Sequence, residues 1–317
     1  MRKKIIGILL LFIIFSLVNK QEVLAYDENL VYGDYIYSYD DQGRVWIDKY
    51  TGKGKEIVVP ASIDGSPVIG AEICENNKRI TKVTFSEGIE YVGGLGGCSN
   101  LKEVYLPKST RWITMDAFRE CKKLKKITLP NGLEKIEYMA FYKCTALKEI
   151  SIPDSVTTMD LDAFWGCKNL EKVKLSKNLE YIEMNTFRGC KKLKSITIPN
   201  KVISISDDAF SGCTSLKSVK LPASLKEICD RAFWGCTSLR EVTIPKKVTY
   251  IGNGAFVDCK KLKKVTIKSK KVKRMGNWPF GGIHPKAVVD VPDSCIDKYS
   301  QMMTGASNFP YQLPKVK

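Results

Sequence analysis

The sequence predicts a β-dominated solenoid of 23-residue coils, with a parallel sheet on one face, little helix, an N-terminal β-hairpin cap and a C-terminal cap. Three observations carry this prediction. Leu101, Leu124, Leu147, Leu170, Leu193, Leu216, Leu239 and Leu262 stand 23 residues apart. Phenylalanine recurs at the same period from Phe118 to Phe256, and cysteine from Cys98 to Cys259. A fixed period of this length marks one supersecondary unit stacked on copies of itself, each burying an apolar face that it cannot bury alone.

Residues 1–25 form the first segment. Arg2, Lys3 and Lys4 precede an apolar run from Ile5 to Val18, and Val23-Leu24-Ala25 offers a processing site. This pattern predicts a secretory signal peptide cleaved after Ala25, and hence a secreted or cell-surface location. The apolar run is 14 residues long, short for a membrane span, which needs about 20. No later stretch approaches that length, so no transmembrane segment is expected in the mature chain. No cysteine follows the processing site to take a lipid, and the C-terminal LPKVK lacks the features of a wall-sorting signal.

Residues 26–79 read as an N-terminal cap and a first irregular repeat. Tyr35 to Tyr39 and Val45 to Ile47 flank the turn residues Asp40 to Gly43, an aromatic-rich hairpin laid over the first coil. The stretch KEIVVPASIDGSPV keeps Ile57, Val59 and Pro60 of a coil but inserts a turn at Asp64-Gly65.

Residues 80–282 hold the array, written L-x-x-[IV]-x-[LI]-P-x-x-[VL]-x-x-[IM]-x-x-x-A-F-x-x-C-x-x. Alternation points Leu124, Ile127 and Leu129 inward and Thr128 outward, as in a strand. Pro107, Pro130, Pro153, Pro199, Pro222 and Pro245 end that strand, because proline has no amide proton for the ladder. A second apolar pair, such as Leu133 and Ile136, leads to Ala-Phe. There the small alanine lets coils approach, and each phenylalanine stacks on its copy one coil away. At about 4.8 Å per coil, roughly nine or ten coils span on the order of 45 Å. Residues 283–317 close the array with a strand over Ala287 to Val291, a short helix over Ile296 to Met303 and a tail.

Fifty-one Lys and Arg against 34 Asp and Glu give a net charge of +17. Removing the leader leaves 47 against 33, or +14. Such a balance favours acidic partners, among them teichoic acids, sulfated glycans, nucleic acid or anionic membranes. Stacking would line up Lys102, Lys125, Lys148, Lys194, Lys217, Arg240 and Lys263, each next to a repeat leucine, with Glu171 as the single acidic member. This line reads either as a stripe for a linear polyanion or as a solubilising face copied by duplication. The opening strands offer a second surface of Glu103 and Tyr105, Lys126 and Thr128, Glu149 and Ser151, Lys172 and Lys174, then mostly Ser and Thr. Tyr142, Trp165 and Trp234, each following a column phenylalanine, either form an exposed aromatic patch or pack over their own turns. The basic charge lacks interleaved stacking aromatics, so no specific nucleic-acid partner is expected.

The chemistry of an enzyme is missing. The single histidine, His284, has only Cys295 as a nearby cysteine in sequence, and a nucleophile needs an oriented base. Glu137, Asp160 and Glu183 share one turn column and read as solvated turn residues. The periodic cysteines read as buried free thiols that pack or bond to backbone, since a column pointing one way does not offer a disulfide dihedral. Cys229 and Cys295 lie outside that column. No metal-ligating spacing or phosphate loop occurs, so neither cofactor nor metal is implied.

The A-F-x-x-C-x-x-L-x-x-[IV]-x-[LI]-P unit and the entry YTGKGKEIVVPASIDGSPV resemble the BspA-like, Treponema pallidum-type leucine-rich repeat over residues 30 to 300. Ser176 and Lys268 depart from the proline and Thr186 from the alanine. The resemblance implies a leucine-rich-repeat solenoid in a secreted or surface bacterial protein, a non-catalytic module that binds a protein or acidic polysaccharide at a cell surface, as in adhesion. The alternative is a structural envelope protein held on anionic polymers such as teichoic acid or acidic glycan through the lysine line. A repeat fold hosts many partners and names none of them.

Overall fold

The structure, a computed structural model, describes residues 29–304 and 315–317. The signal peptide expected over residues 1–25 lies outside them. The described residues wind into a β-solenoid of about 11 turns, with one α-helix among them, nine residues long, at Ile296–Thr304.

Each regular coil carries two short runs of extended chain. The opening strand follows the repeat leucine, as at Glu149–Ser151, and the second strand is two residues long, as at Thr158–Met159. Second strands pair in parallel at the repeat register, Trp112 beside Lys135 beside Thr158, and Tyr181 beside Ser204 beside Glu227 beside Tyr250. Antiparallel strands Tyr35–Tyr39 and Val45–Tyr50 form the anticipated hairpin. Val45–Tyr50 then pairs in parallel with Ser66–Glu72, which pairs with Tyr91–Gly93. The cap is therefore continuous with the second-strand ladder, and the array is longer than the nine or ten coils read from the leucine period. At the other end Lys315–Val316 adds a strand beside Val288–Asp290, an edge cover that no repeat position signals.

The opening strands form separate groups rather than one sheet. Glu56–Val59, Lys82–Phe85 and Glu103–Tyr105 make the first group. Glu149–Ser151 pairs with Lys172–Lys174, and Ser195–Thr197 with Ser218–Lys220. Glu241–Ile244, Lys264–Ile267 and Val288–Asp290 close the series. Residues 126–128 join neither neighbour, although Ile127 still points into the core at 5% exposure.

The uninterrupted backbone ladder lies instead on the Ala-Phe arc. The amides of Asp116, Phe118 and Glu120 donate to the carbonyls of Tyr138, Ala140 and Tyr142 in the next coil. Those of Asp162, Phe164 and Gly166 donate to Met184, Thr186 and Arg188, and the same trio recurs through Gly254, Phe256 and Asp258. All of these amides point toward the C-terminal end of the array. Intervening amides close turns on their own coil, Ala117 to Thr114 and Arg119 to Asp116. Two left-handed residues per coil make this geometry. One column is Asp116, Met139, Asp162, Asn185, Asp208, Arg231 and Gly254; the other is Glu120, Lys143, Gly166, Gly189, Gly212, Gly235 and Asp258. Gly, Asn and Asp bear that conformation at least cost, which accounts for most of both columns.

Inside the arc Phe118, Phe141, Phe164, Phe187, Phe210, Phe233, Phe256 and Phe280 stack, with centroids 5.1 to 5.6 Å apart and planes within 2 to 19° of parallel. The spacing offsets the rings, the arrangement that aromatic quadrupoles favour over direct overlap. The column cysteines are free and buried. Each donates its thiol to a carbonyl one coil back, Cys144 to Phe118 at 3.0 Å and Cys167 to Phe141 at 3.1 Å. Cys74 takes the phenylalanine place in the first coil, and its carbonyl accepts Cys98 at 3.0 Å. Ser176, in the proline place, and Ser269, next to Lys268 in that place, each donate a hydroxyl to a carbonyl of the preceding coil at 2.6 Å.

Truncating one ring of the stack, Phe187→Ala, leaves a void between two fixed neighbours and should cost about 3–5 kcal/mol of unfolding free energy by denaturant titration. Lys143 is the exposed-side counterpart of four glycines, so Lys143→Gly should raise stability by roughly 1 kcal/mol through relief of the left-handed backbone; a lower midpoint would contradict that account. Burial pushes the Cys167 and Cys213 thiols up to about 12 and that of half-buried Cys229 up to about 11. Iodoacetamide at neutral pH should therefore label at most Cys229 in the folded protein and all eleven cysteines after denaturation. Mass spectrometry counts the adducts.

Candidate binding surface

The surface begins at the repeat leucine. Leu124 is buried, and the chain leaves it extended with Lys125 and Lys126 outside before Ile127 turns in. All seven basic residues of the predicted line, Lys102, Lys125, Lys148, Lys194, Lys217, Arg240 and Lys263, are exposed. Their stacking is literal. The amide of Lys217 donates to the carbonyl of Lys194 at 2.9 Å, and that of Lys263 to the carbonyl of Arg240 at 2.9 Å. Longer bonds of 3.4 Å link Lys148 to Lys125 and Arg240 to Lys217. Glu171 takes the eighth place, its amide 2.8 Å from the Lys148 carbonyl and its carboxylate 2.8 Å from Lys194 Nζ. That hydrogen bond from Lys194, with its charge, holds the Glu171 carboxyl below the usual range. Among the described residues the other six basic members make no ion pair. The line is thus a run of uncompensated positive charge broken once. Salt screens such exposed groups beyond about 8–10 Å, so neighbours one coil apart still feel one another.

Beside this line the interrupted opening strands leave two grooves. The first, about 970 Å³, lies between Glu103–Tyr105 and residues 125–128, and Lys102, Lys108, Lys122 and Lys123 rim it. The second, about 800 Å³, lies between residues 126–129 and Glu149–Ser151 and extends to Lys172–Lys174. Tyr105 is 52% exposed at the first groove. Its hydroxyl donates to Glu103 at 3.0 Å, and Lys82 sits 5.7 Å from its ring centre.

The arc carries an aromatic ladder. Tyr142 and Trp165 meet edge to face at 5.4 Å, with Arg119 over the outer side of Tyr142 at 5.9 Å and Arg188 over Trp165 at 5.0 Å. These two rings pack across coils and are half-buried, whereas Trp234 is 42% exposed and donates to Asp258 at 3.4 Å. A second aromatic row, Trp46 on the hairpin and Tyr91 and Trp112 on second strands, packs with tilted rings at 5.3 and 4.3 Å. Second-strand pairing places these three in one file, which their irregular sequence spacing near the cap conceals.

The carboxylate column corrects the reading of solvated turn residues. Glu137, Asp160 and Glu183 are all half-buried. Glu137 accepts the Met115 amide at 3.0 Å, and Lys135 bridges Glu137 and Asp160 at 3.4 and 3.2 Å. Burial pushes the Glu183 carboxyl up. The side chains brace turns between coils, which keeps them from open water. His284 accepts the Lys286 amide on Nδ1 at 3.1 Å, and Cys295 is buried. Among the described residues no group of three His, Cys, Asp or Glu converges as metal ligands, and no helix is long and apolar enough to cross a membrane.

A search of curated proteins found no match. Solved structures do match. A leucine-rich repeat protein from Bacteroides ovatus is 24% identical, with a TM-score of 0.72, covering 91% of this chain and 76% of its own. A leucine rich cell surface protein from Faecalibacterium prausnitzii is 20% identical, with a TM-score of 0.46 over 88% of this chain and 98% of its own. The T. pallidum leucine-rich repeat protein is 22% identical, with a TM-score of 0.44 over 74% and 91%. The first shares the fold of this chain. The BspA type leucine rich repeat region matches in six copies over residues 55–194 and 180–302. With that match spanning most of the solenoid, the chain belongs to the BspA-type leucine-rich repeat family.

Proposed function

We propose that this protein is a secreted or surface-associated bacterial module that binds another macromolecule, as an adhesin or interaction scaffold, and performs no catalysis. The observation that carries the reading is a stacked array whose interrupted opening strands leave shaped, lysine-rimmed grooves on its outer side. Family membership supports it, because a solenoid offers a long surface with side chains at fixed spacing. The expected partner is a protein or acidic polysaccharide at a cell surface.

A second reading has its own support. Uncompensated charge at one-coil spacing suits retention on the producer's anionic envelope, such as teichoic acid. The two readings separate on salt. Raising salt from about 0.1 M to about 1 M shortens the Debye length from about 10 Å to about 3 Å. Pull-down of the purified protein on host matrix proteins, wall polymer and whole cells should retain a salt-resistant fraction if a shaped protein contact dominates. Charge reversal at Lys194, Lys217 and Arg240 should then weaken binding less than about threefold. Loss of binding both at high salt and in the triple variant would favour envelope retention. Absence of binding to any of these surfaces would overturn the module itself.

A further inference from the structure

We propose that the groove between the coils opened by Leu101 and Leu124 docks an extended acidic peptide segment that carries an aromatic or aliphatic residue. The assignment rests on the binding-module reading and gives it a place and a ligand class.

Four features meet at this groove and at no other opening-strand position described. The backbone is the first. Lys82–Phe85 is laddered to Glu103–Tyr105 on one side, and Glu149–Ser151 to Lys172–Lys174 on the other. Between them no backbone hydrogen bond joins Glu103–Tyr105 to residues 126–128 among the described residues. Polar backbone groups that neighbouring coils satisfy on one another thus remain open to a ligand here.

Charge is the second feature. Lys102, Lys108, Lys122, Lys123, Lys125 and Lys126 line the space. The one carboxylate among the lining residues, Glu103, already accepts the Tyr105 hydroxyl. Among the described residues only Lys122 of the six is paired, with Glu120 at 3.1 Å. The adjoining groove is less one-sided, because Glu149 and Asp154 face its lysines. Complementarity of this kind fixes the sign of the partner and speeds its arrival.

The remaining features are an anchor and a floor. Tyr105 is the large apolar side chain exposed on this strand face within the groove, and tyrosine is among the residues that dominate binding energy when a partner covers them. Val104, Leu106, Ile127 and Pro130 form apolar lining beneath the lysines. A purely polyanionic polymer would use the rim and leave this lining without a match. A peptide lying along the strand direction supplies alternating N–H and C=O groups at strand repeat, carboxylates for the rim and one apolar side chain for Tyr105.

Fluorescence anisotropy with the full protein tests the assignment. The probes are a labelled peptide of glutamates with interspersed phenylalanine, a polyglutamate of equal length and a heparin oligosaccharide. The glutamate–phenylalanine peptide should bind about tenfold tighter than polyglutamate, and Tyr105→Ala should erase that difference. The double variant Lys123→Glu with Lys126→Glu should weaken both peptides by about tenfold or more, while Lys220→Glu, further along the strand face, should leave both within about twofold. Equal binding of the two peptides to the wild type would overturn the proposal. So would heparin binding tighter than either peptide and indifferent to Tyr105→Ala. If cells or matrix proteins bind the wild type and the groove variants alike while the peptides fail, the groove assignment falls and the module stands. If the wild type binds nothing, both fall.

Discussion

The constraint on which the rest of the structure depends is the one-way ladder along the Ala-Phe arc. Three amides per coil point to the next coil, from Phe118 to Ala140 and from Phe210 to Ala232 alike. Alternate amides cross between coils while the others close turns, so each arc stays in phase with the next and differences in coil length fall outside the arc. The last coil carries one extra residue, yet Gly254, Phe256 and Asp258 still donate across it, to Asn277, Pro279 and Gly281. The 23-residue period of leucine is the outward sign of this register.

The columns beside the ladder follow from it. Arcs at this spacing bury a small residue beside each ring, alanine in most coils and Thr186 in one, and they place each phenylalanine 5.1 to 5.6 Å from its copy. The phenylalanine carbonyl sits inside the coil with two lone pairs to satisfy. At Phe141 one accepts the Cys144 amide and the other the Cys167 thiol. Cysteine is small, apolar enough to be buried and still able to donate, which accounts for a repeated thiol that forms no disulfide. The periodic cysteines thus contribute to the packing of neighbouring coils without covalent links.

With coils held by arc and core, the opening strands are free to part. They do so beside residues 126–128, and there the outer surface gains depth and exposed backbone. The surface sequence can vary from coil to coil while the core column stays constant, the division expected of a scaffold that presents side chains at fixed spacing. The basic line beside Leu124 and its counterparts is the regular part of that surface, and the groove at Tyr105 the singular part.

Most of the fold was legible in the sequence, because leucine, phenylalanine and cysteine columns report side-chain packing directly. The arc ladder was not. Its signature is backbone conformation, and its two left-handed columns mix Asp, Asn and Gly with Met139, Lys143 and Arg231. The glycines at 166, 189, 212 and 235, each just before a cysteine, were the available clue. The parted strands escaped notice because Lys126 and Thr128 alternate like their neighbours, and hydrogen bonding across coils has no local sequence code. Lys315–Val316 escaped for a related reason: its pairing depends on a sheet edge far away in the chain. The basic line was legible by counting, while the groove beside it needed the break in the sheet. Native-state hydrogen exchange tests the central claim most directly. The amides of Phe164, Phe187 and Phe210 should exchange slowest among the described residues, far more slowly than those of residues 126–128; slower exchange in the opening strands than on the arc would contradict the ladder's governing role.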